Sequence, residues 1–279
     1  MAGRYYLWKK IGVKSKVEKP VQPEKTIGRW KGFSVFLFPA LMFWMLGGTA
    51  CSISKRDLRE TAQDYYVFGT QVYKSGDFTK AQEAFQKIID EYPDSDLRRD
   101  ALLNLADAYY GNEEFEESRF QYMKFLELYP TYSQADTVMY RMGMSSFLRM
   151  RPDNRDQSGT QEAIQDFETF LLAFPESSHF RDVLQKIIYC RNKLAAHDLG
   201  IAKFYFKQGS YHSAVTRFDD ILKSYPAVYF RDEVLYYKGE SYFLEESKEK
   251  AAETFQSLIS QFPNSPFTKK AHERLADIH

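Results

Sequence analysis

The sequence predicts an all-α fold, a right-handed α-solenoid of stacked helix pairs, and three observations predict it. An aromatic–proline dipeptide recurs five times, at Tyr92-Pro93, Tyr129-Pro130, Phe174-Pro175, Tyr225-Pro226 and Phe262-Pro263. Each copy is preceded at fixed distances by the same residue types. Only 14 glycines and 10 prolines are spread over 279 residues, too few for the tight turns that an all-β chain of this length needs.

The register holds in all five copies. Eight residues before each proline stands an aromatic (Phe85, Tyr122, Phe167, Phe218, Phe255), and four before that a small residue (Ala81, Ser118, Ala163, Ala214, Ala251). Twelve residues further upstream comes a second small residue in four copies (Gly69, Ala106, Ala202, Gly239). In the third copy Gly143 precedes Ala163 by 20, an insertion of eight. This is the spacing of the tetratricopeptide repeat, a helix-turn-helix unit of about 34 residues. Helices A and B of a unit cross where only Gly, Ala or Ser fits, and the aromatic one turn on, along the same face, fills the space left. Proline then ends helix B, because it lacks an amide hydrogen and excludes helical geometry at the residue before it.

Taken in chain order, residues 1–50 read as an export segment. Nine Lys/Arg face two Glu, a balance of +7, and an apolar run from Phe33 to Leu46 follows. That run is shorter than the roughly 20 residues a helix needs to cross ~30 Å of hydrocarbon, and it ends in the small residues Gly47-Gly48-Thr49-Ala50 before Cys51. Three outcomes stay open: a lipobox with Cys51 acylated as the first mature residue, cleavage after Ala50 without acylation, and an uncleaved anchor. Residues 51–61 form a tether, 62–175 hold repeats 1–3, and 176–279 hold a long linking helix with repeats 4–5.

The A–B turns carry their own signals, with Ser75-Gly76-Asp77, Asn112-Glu113-Glu114, Gln208-Gly209-Ser210 and Glu245-Glu246-Ser247 each leading into a helix B. Successive prolines are 37, 45, 51 and 37 apart, so two intervals are long. The first surplus, Arg149 to Gly159, is polar with Pro152 and Gly159 and reads as a loop. The second, Phe180 to Leu194, sets Phe180, Val183, Leu184, Ile187, Ile188, Arg191 and Leu194 at helical period with no breaker before Gly200. Helix A of repeat 4 is therefore expected to start early and be long.

Chemistry-bearing motifs are absent from the sequence. It has no Gly-rich phosphate loop, no His-Glu-x-x-His and no Gly-x-Ser-x-Gly, and its five histidines are scattered without ligand spacing. Asp153-Asn154-Arg155-Asp156 superficially suggests calcium but lacks the Asp-x-Asp-x-Asp-Gly run and the distal glutamate, so a solvated or partner-facing loop is the better reading. Cys190 falls inside an apolar helical pattern with no histidine paired to it, the setting of a small core residue. Residues 51–279 balance at −7, which disfavours nucleic acid as a partner. The reading is of a binding protein without catalytic residues, metal or cofactor.

Several stretches are more particular than the repeats. They are Asp136-Thr137-Val138-Met139-Tyr140 with Gly143, the loop Arg155-Asp156-Gln157 followed by Ala163 and Phe167, Tyr189-Cys190-Arg191-Asn192-Lys193-Leu194-Ala195, and Ala202 with Tyr205-Phe206. With a cysteine at the end of a signal-like run, the chain resembles the BamD family of outer-membrane assembly lipoproteins. The resemblance implies a lipid-anchored scaffold on the periplasmic face of the outer membrane. Its N-terminal repeats would bind extended segments of unfolded β-barrel clients, and its C-terminal repeats would dock a POTRA-bearing barrel subunit. It further implies a lipid anchor at Cys51 and partner contacts at Arg217, Arg155, Asp156, Asp136 and Tyr140. For Arg217 the alternative is a solvated arginine paired with Asp220 or Glu233. For the whole chain the alternative is a periplasmic cell-division coordinator resembling CpoB, which would carry an N-terminal coiled coil.

Overall fold

The computed structural model describes residues 61–278. Among these there are eleven helices and no strand. Repeat 1 is α1 (Ala62–Lys74) and α2 (Phe78–Glu91), repeat 2 is α3 (Arg98–Gly111) and α4 (Phe115–Leu128), and repeat 3 is α5 (Ala135–Leu148) and α6 (Ser158–Ala173). Repeat 4 is α7 (Phe180–Lys207) and α8 (Tyr211–Ser224), and repeat 5 is α9 (Arg231–Leu244) and α10 (Lys248–Gln261). An eleventh helix, α11 (Thr268–Ile278), follows the last repeat and packs on α10.

The start and stop signals act as the sequence suggests. Thr61 caps α1 by accepting from the Asp64 amide, and Asp77 caps α2 by accepting from the Lys80 amide. In all four A–B turns read from the sequence the middle residue is left-handed: Gly76 at φ 83°, Glu113 at 61°, Gly209 at 75° and Glu246 at 60°. Two of these are glycines, for which the region is free, and two are glutamates, for which it costs about 1 kcal/mol. At the other end of each repeat, Tyr92, Tyr129, Phe174, Tyr225 and Phe262 all sit near φ −130°, ψ 60°, outside the helical region as a following proline demands. The proline then occupies the second position of a turn closed by a bond such as Ser95 N–H to Tyr92 O, 3.1 Å.

Packing within each pair rests on the small residue of helix A. A Cβ built on Gly69 would stand 2.8 Å from Phe85 Cε1, and Cβ atoms on Gly143 and Gly239 would stand 2.6 Å from Cε1 of Phe167 and of Phe255. These rings, with Tyr122 and Phe218 over Ala106 and Ala202, are among the most deeply buried side chains of the protein. Ser118, the one hydroxyl at the helix B small position, is fully buried and donates to Ala106 O at 3.1 Å. A further aromatic lies one turn beyond the helix A small residue in every repeat. In repeats 1, 2 and 4 it meets the first residue of helix B edge-on, as Tyr73–Phe78, Tyr110–Phe115 and Phe206–Tyr211 with centroids 5.4 to 5.7 Å apart. Repeats 3 and 5 begin helix B with Ser158 and Lys248, and there the partner comes from elsewhere: Tyr189 and Lys186 of α7 cover Phe147, and Arg274 of α11 covers Phe243.

The expected long helix is α7, 28 residues against 13 or 14 for the other A helices. The insertion in repeat 3 ends two residues earlier than its composition suggests, because Ser158 and Gly159 open α6. The Asp156 carboxylate accepts from the Ser158 amide at 3.3 Å, so the helix starts behind it. Helix α11 carries no aromatic–proline signature. It is held by Ala271, Leu275 and Ile278 on its inner face and by a two-pronged ion pair from Arg274 to Glu240, at 2.6 and 3.0 Å.

Two substitutions of glycine test this packing in opposite directions. Gly239→Leu forces a side chain into the Phe255 ring and is expected to destabilise by about 1–3 kcal/mol. Gly200, on the exposed face of α7, has no atom within 4 Å of a built Cβ, and Gly200→Ala should stabilise by about 0.5–1 kcal/mol. Chemical unfolding of both variants checks the pair, and equal midpoints would contradict the A–B packing described.

Candidate functional site

The five candidate partner residues fall at three places. Asp136 and Tyr140 lie on the first turns of α5 and reach the α6–α7 connection. Asp136 accepts from its neighbour Thr137's amide at 2.7 Å and from the Ser177 hydroxyl at 2.7 Å. The Ser177 bond, ahead of the other contacts, holds its carboxyl below the usual range. Tyr140 donates to Asp182 at 2.8 Å and stacks on His179, with centroids 4.2 Å apart and planes 8° from parallel. Burial, reinforced by Asp182, pushes its phenol up to about 12. The same lock recurs one block later, where Ser265 donates to Asp232 on α9 at 2.6 Å. Both residues thus tie one A helix to the turn before the next, and Asp136 also borders a groove of about 350 Å³ with Tyr132, Phe174 and Glu176.

Arg155 and Asp156 lie in the α5–α6 loop, residues 149–157, and both are exposed. The loop is closed on itself by Gln157, 6% exposed, whose amide donates to Pro152 O at 2.8 Å and to Arg155 O at 3.0 Å and whose carbonyl accepts from Thr160. It is also fastened to α7. Asp153 pairs with Lys193 at 2.7 Å, and its carbonyl meets His197 Nδ1. The Asp156 carboxyl is held low by its bonds to Ser158. Neither Lys193 nor His197 is marked by the sequence as a partner of this loop, since a loop of this composition does not announce which helix it will meet. Their spacing of four on one helix face is the only trace.

Arg217 stands on α8 between Ala214 and Phe218, exposed to solvent. Neither intramolecular pairing open to it forms: Glu233 is bound by Lys203, and no hydrogen bond or ion pair of Arg217 occurs among the described residues. The residues at its place in the other B helices are turned inward. Ala84 is 3%, Asp166 5% and Thr254 8% exposed, and Gln121 is half-buried with its amide oxygen enclosed. Asp166 uses that place to lock neighbouring helices, accepting two bonds from Arg119 of α4 at 2.8 Å each and one from Ser146 of α5.

Cys51 lies outside the described residues. Cys190 is fully buried beside Met150, and burial pushes its thiol up to about 12. Among the described residues no group of three His, Cys, Asp or Glu is placed to hold a metal, and no helix is long and apolar enough to cross a membrane. Cys190 should stay unmodified by a thiol reagent at pH 8 for as long as the chain is folded and react at once in denaturant. Peptide mapping after timed labelling checks this, and rapid labelling of Cys190 in the folded protein would contradict its place in the core.

A family model described as an outer membrane lipoprotein, YfiO, matches residues 59–251. A Pasteurella multocida protein named outer membrane protein assembly factor BamD is 29% identical over 217 residues, covering 74% of this chain and 83% of the relative. Proteins of the same name from Neisseria gonorrhoeae and Rickettsia prowazekii are each 25% identical, the first covering 76% of this chain and 83% of the relative, the second 82% and 91%.

Proposed function

The chain belongs to the YfiO family of outer membrane lipoproteins, and from that premise we propose that it is a scaffold for outer-membrane protein assembly that works by recognition without covalent chemistry. Its curated relatives carry the assembly-factor name over most of their length, which favours this reading over a cell-division coordinator. The observation that carries the docking part is Arg217. A guanidinium in the open, without a partner, at a place where sister helices turn their side chains inward, is available to an acidic side chain of another protein. The POTRA-bearing barrel subunit is the partner proposed for this face of repeats 4 and 5.

The N-terminal repeats serve the client. Their A helices present half-buried phenols at Tyr66, Tyr110 and Tyr140, with Asn104 donating to the Tyr66 oxygen at 3.1 Å. An extended barrel segment has unpaired backbone groups and alternating apolar side chains, and a surface of rings with polar tips satisfies both. Asp136 and Tyr140 act in this scheme mainly by fixing the α5 to α7 geometry, while Arg155 is an exposed loop cation free to reach a partner. The acyl group on Cys51 would hold the scaffold at the periplasmic face, some ten residues before α1.

Reversing the charge tests the docking face. Arg217→Glu should leave circular dichroism unchanged and cost roughly 2–5 kcal/mol of binding to the barrel subunit, seen as loss of co-purification from detergent-solubilised membranes. Undiminished co-purification would move the docking site elsewhere. The anchor is tested by mass spectrometry of the membrane fraction, where the N-terminal peptide should begin at an acylated Cys51. A mature chain that retains residues 1–50, or an unmodified Cys51, would refute it.

A further inference from the structure

The apolar core of the stack is interrupted once. One cluster runs through repeats 1 and 2 into α5, a second joins α6 to the first half of α7 through Ala163, Phe167, Phe170, Val183, Ile187 and Cys190. A third begins at Ala195 and joins the second half of α7 to α8 and α9, and a fourth closes α9 to α11. Met139 packs against the first two clusters and Leu222 against the last two. No described residue packs against both of the middle two. The break falls on α7 between Cys190 and Ala195, where Arg191, Asn192, Lys193 and Leu194 are all half-buried.

Polar contacts bridge the break instead. Arg191 pairs with Glu168 of α6 at 2.7 Å, and Lys193 and His197 hold the α5–α6 loop through Asp153. Beside them a polar notch of about 360 Å³ opens between repeats 3 and 4, with Asp156, Gln157 and Gln161 on one side, Leu194 and His197 on the helix, and Tyr225 on the other side. Every other junction in the stack is filled by side chains shared across it. Partly exposed ion pairs such as these remain open to water on one side and contribute modestly, whereas a shared apolar cluster opens only with the repeats that own it.

We propose that α7 is a joint at Arg191–Leu194 between two separately packed blocks of repeats, and that the loop 149–157 is the strap that holds the joint closed. The eight-residue insertion in repeat 3 and the added half of α7 are then one device. The extra helix separates the two cores, and the extra loop spans the gap. This inference concerns the motion of the blocks and holds whichever partners they bind.

Hydrogen–deuterium exchange on the full-length chain in detergent tests it. In a helix with a continuous core the middle amides are the best protected. Here the amides of residues 191–194 should exchange faster than those of 183–190 and of 199–206. Asp153→Ala should raise exchange at 191–197 by roughly two- to fivefold and leave 183–190 and 199–206 unchanged. Lys193→Ala, which cuts the same tie from the helix side, should do the same, and Arg99→Ala, which removes an exposed pair on α3, should change nothing in α7. Uniform protection along α7, or an increase spread over the whole helix in either strap variant, would overturn the proposal.

Discussion

The distance at which helix B can cross helix A is the constraint on which the rest of the stack depends. At Gly69, Gly143 and Gly239 an aromatic ring occupies the volume that a methyl group would need, and at Ala106 and Ala202 a fully buried methyl stands at the crossing. Burying five aromatic rings in this way supplies much of the apolar area that each pair removes from water. It also fixes the rotation of helix B, so that the next aromatic along helix A meets the start of helix B. Where that start is a serine or a lysine, in repeats 3 and 5, the exposed ring draws a cover from the following element, and α7 and α11 take their positions partly from that need.

Polar locks set the register between repeats. Arg119, Asp166 and Ser146 join three helices, Arg274 and Glu240 join α11 to α9, and Asp107 accepts from both Tyr122 and Arg141. Charged groups taken out of water contribute less to stability than apolar groups of the same volume, but removing one partner leaves a costly orphan. Their value here is that a slipped stack would break them all. The neutral net charge of the chain conceals an acidic repeat region, and within it most acids are engaged by a neighbour. Arg217 is, among the described residues, a cation without an internal partner at a place where the sister helices turn their side chains inward.

The third repeat is where the regular pattern gives way. Its A–B turn is replaced by a nine-residue loop that leans on the next helix, its B helix starts with Ser158, and its outer face is closed by the first half of α7. Half of α7 thus completes repeat 3, as a capping helix would, and half opens repeat 4. Helix α11 has the first of these roles, covering α10 and the Phe243 ring of α9.

Residue spacing alone determined the five repeats, the small and aromatic positions, the helix ends at each proline and the length of α7, because each follows from sterics within one or two turns of chain. The core role of Cys190 was legible for the same reason. What the loop 149–157 packs against, which carboxylates lock repeats and which stay open, and the helix after the last repeat were decided by tertiary structure. Asp136, Asp166 and Asp156 look alike in the sequence, and yet one grips Ser177, one is buried under Arg119, and one accepts from Ser158 just ahead of α6. A carboxylate's part depends on which groups other helices bring within 3 Å of it. That distance is set by the crossing of helices far apart in the chain, which no local pattern encodes.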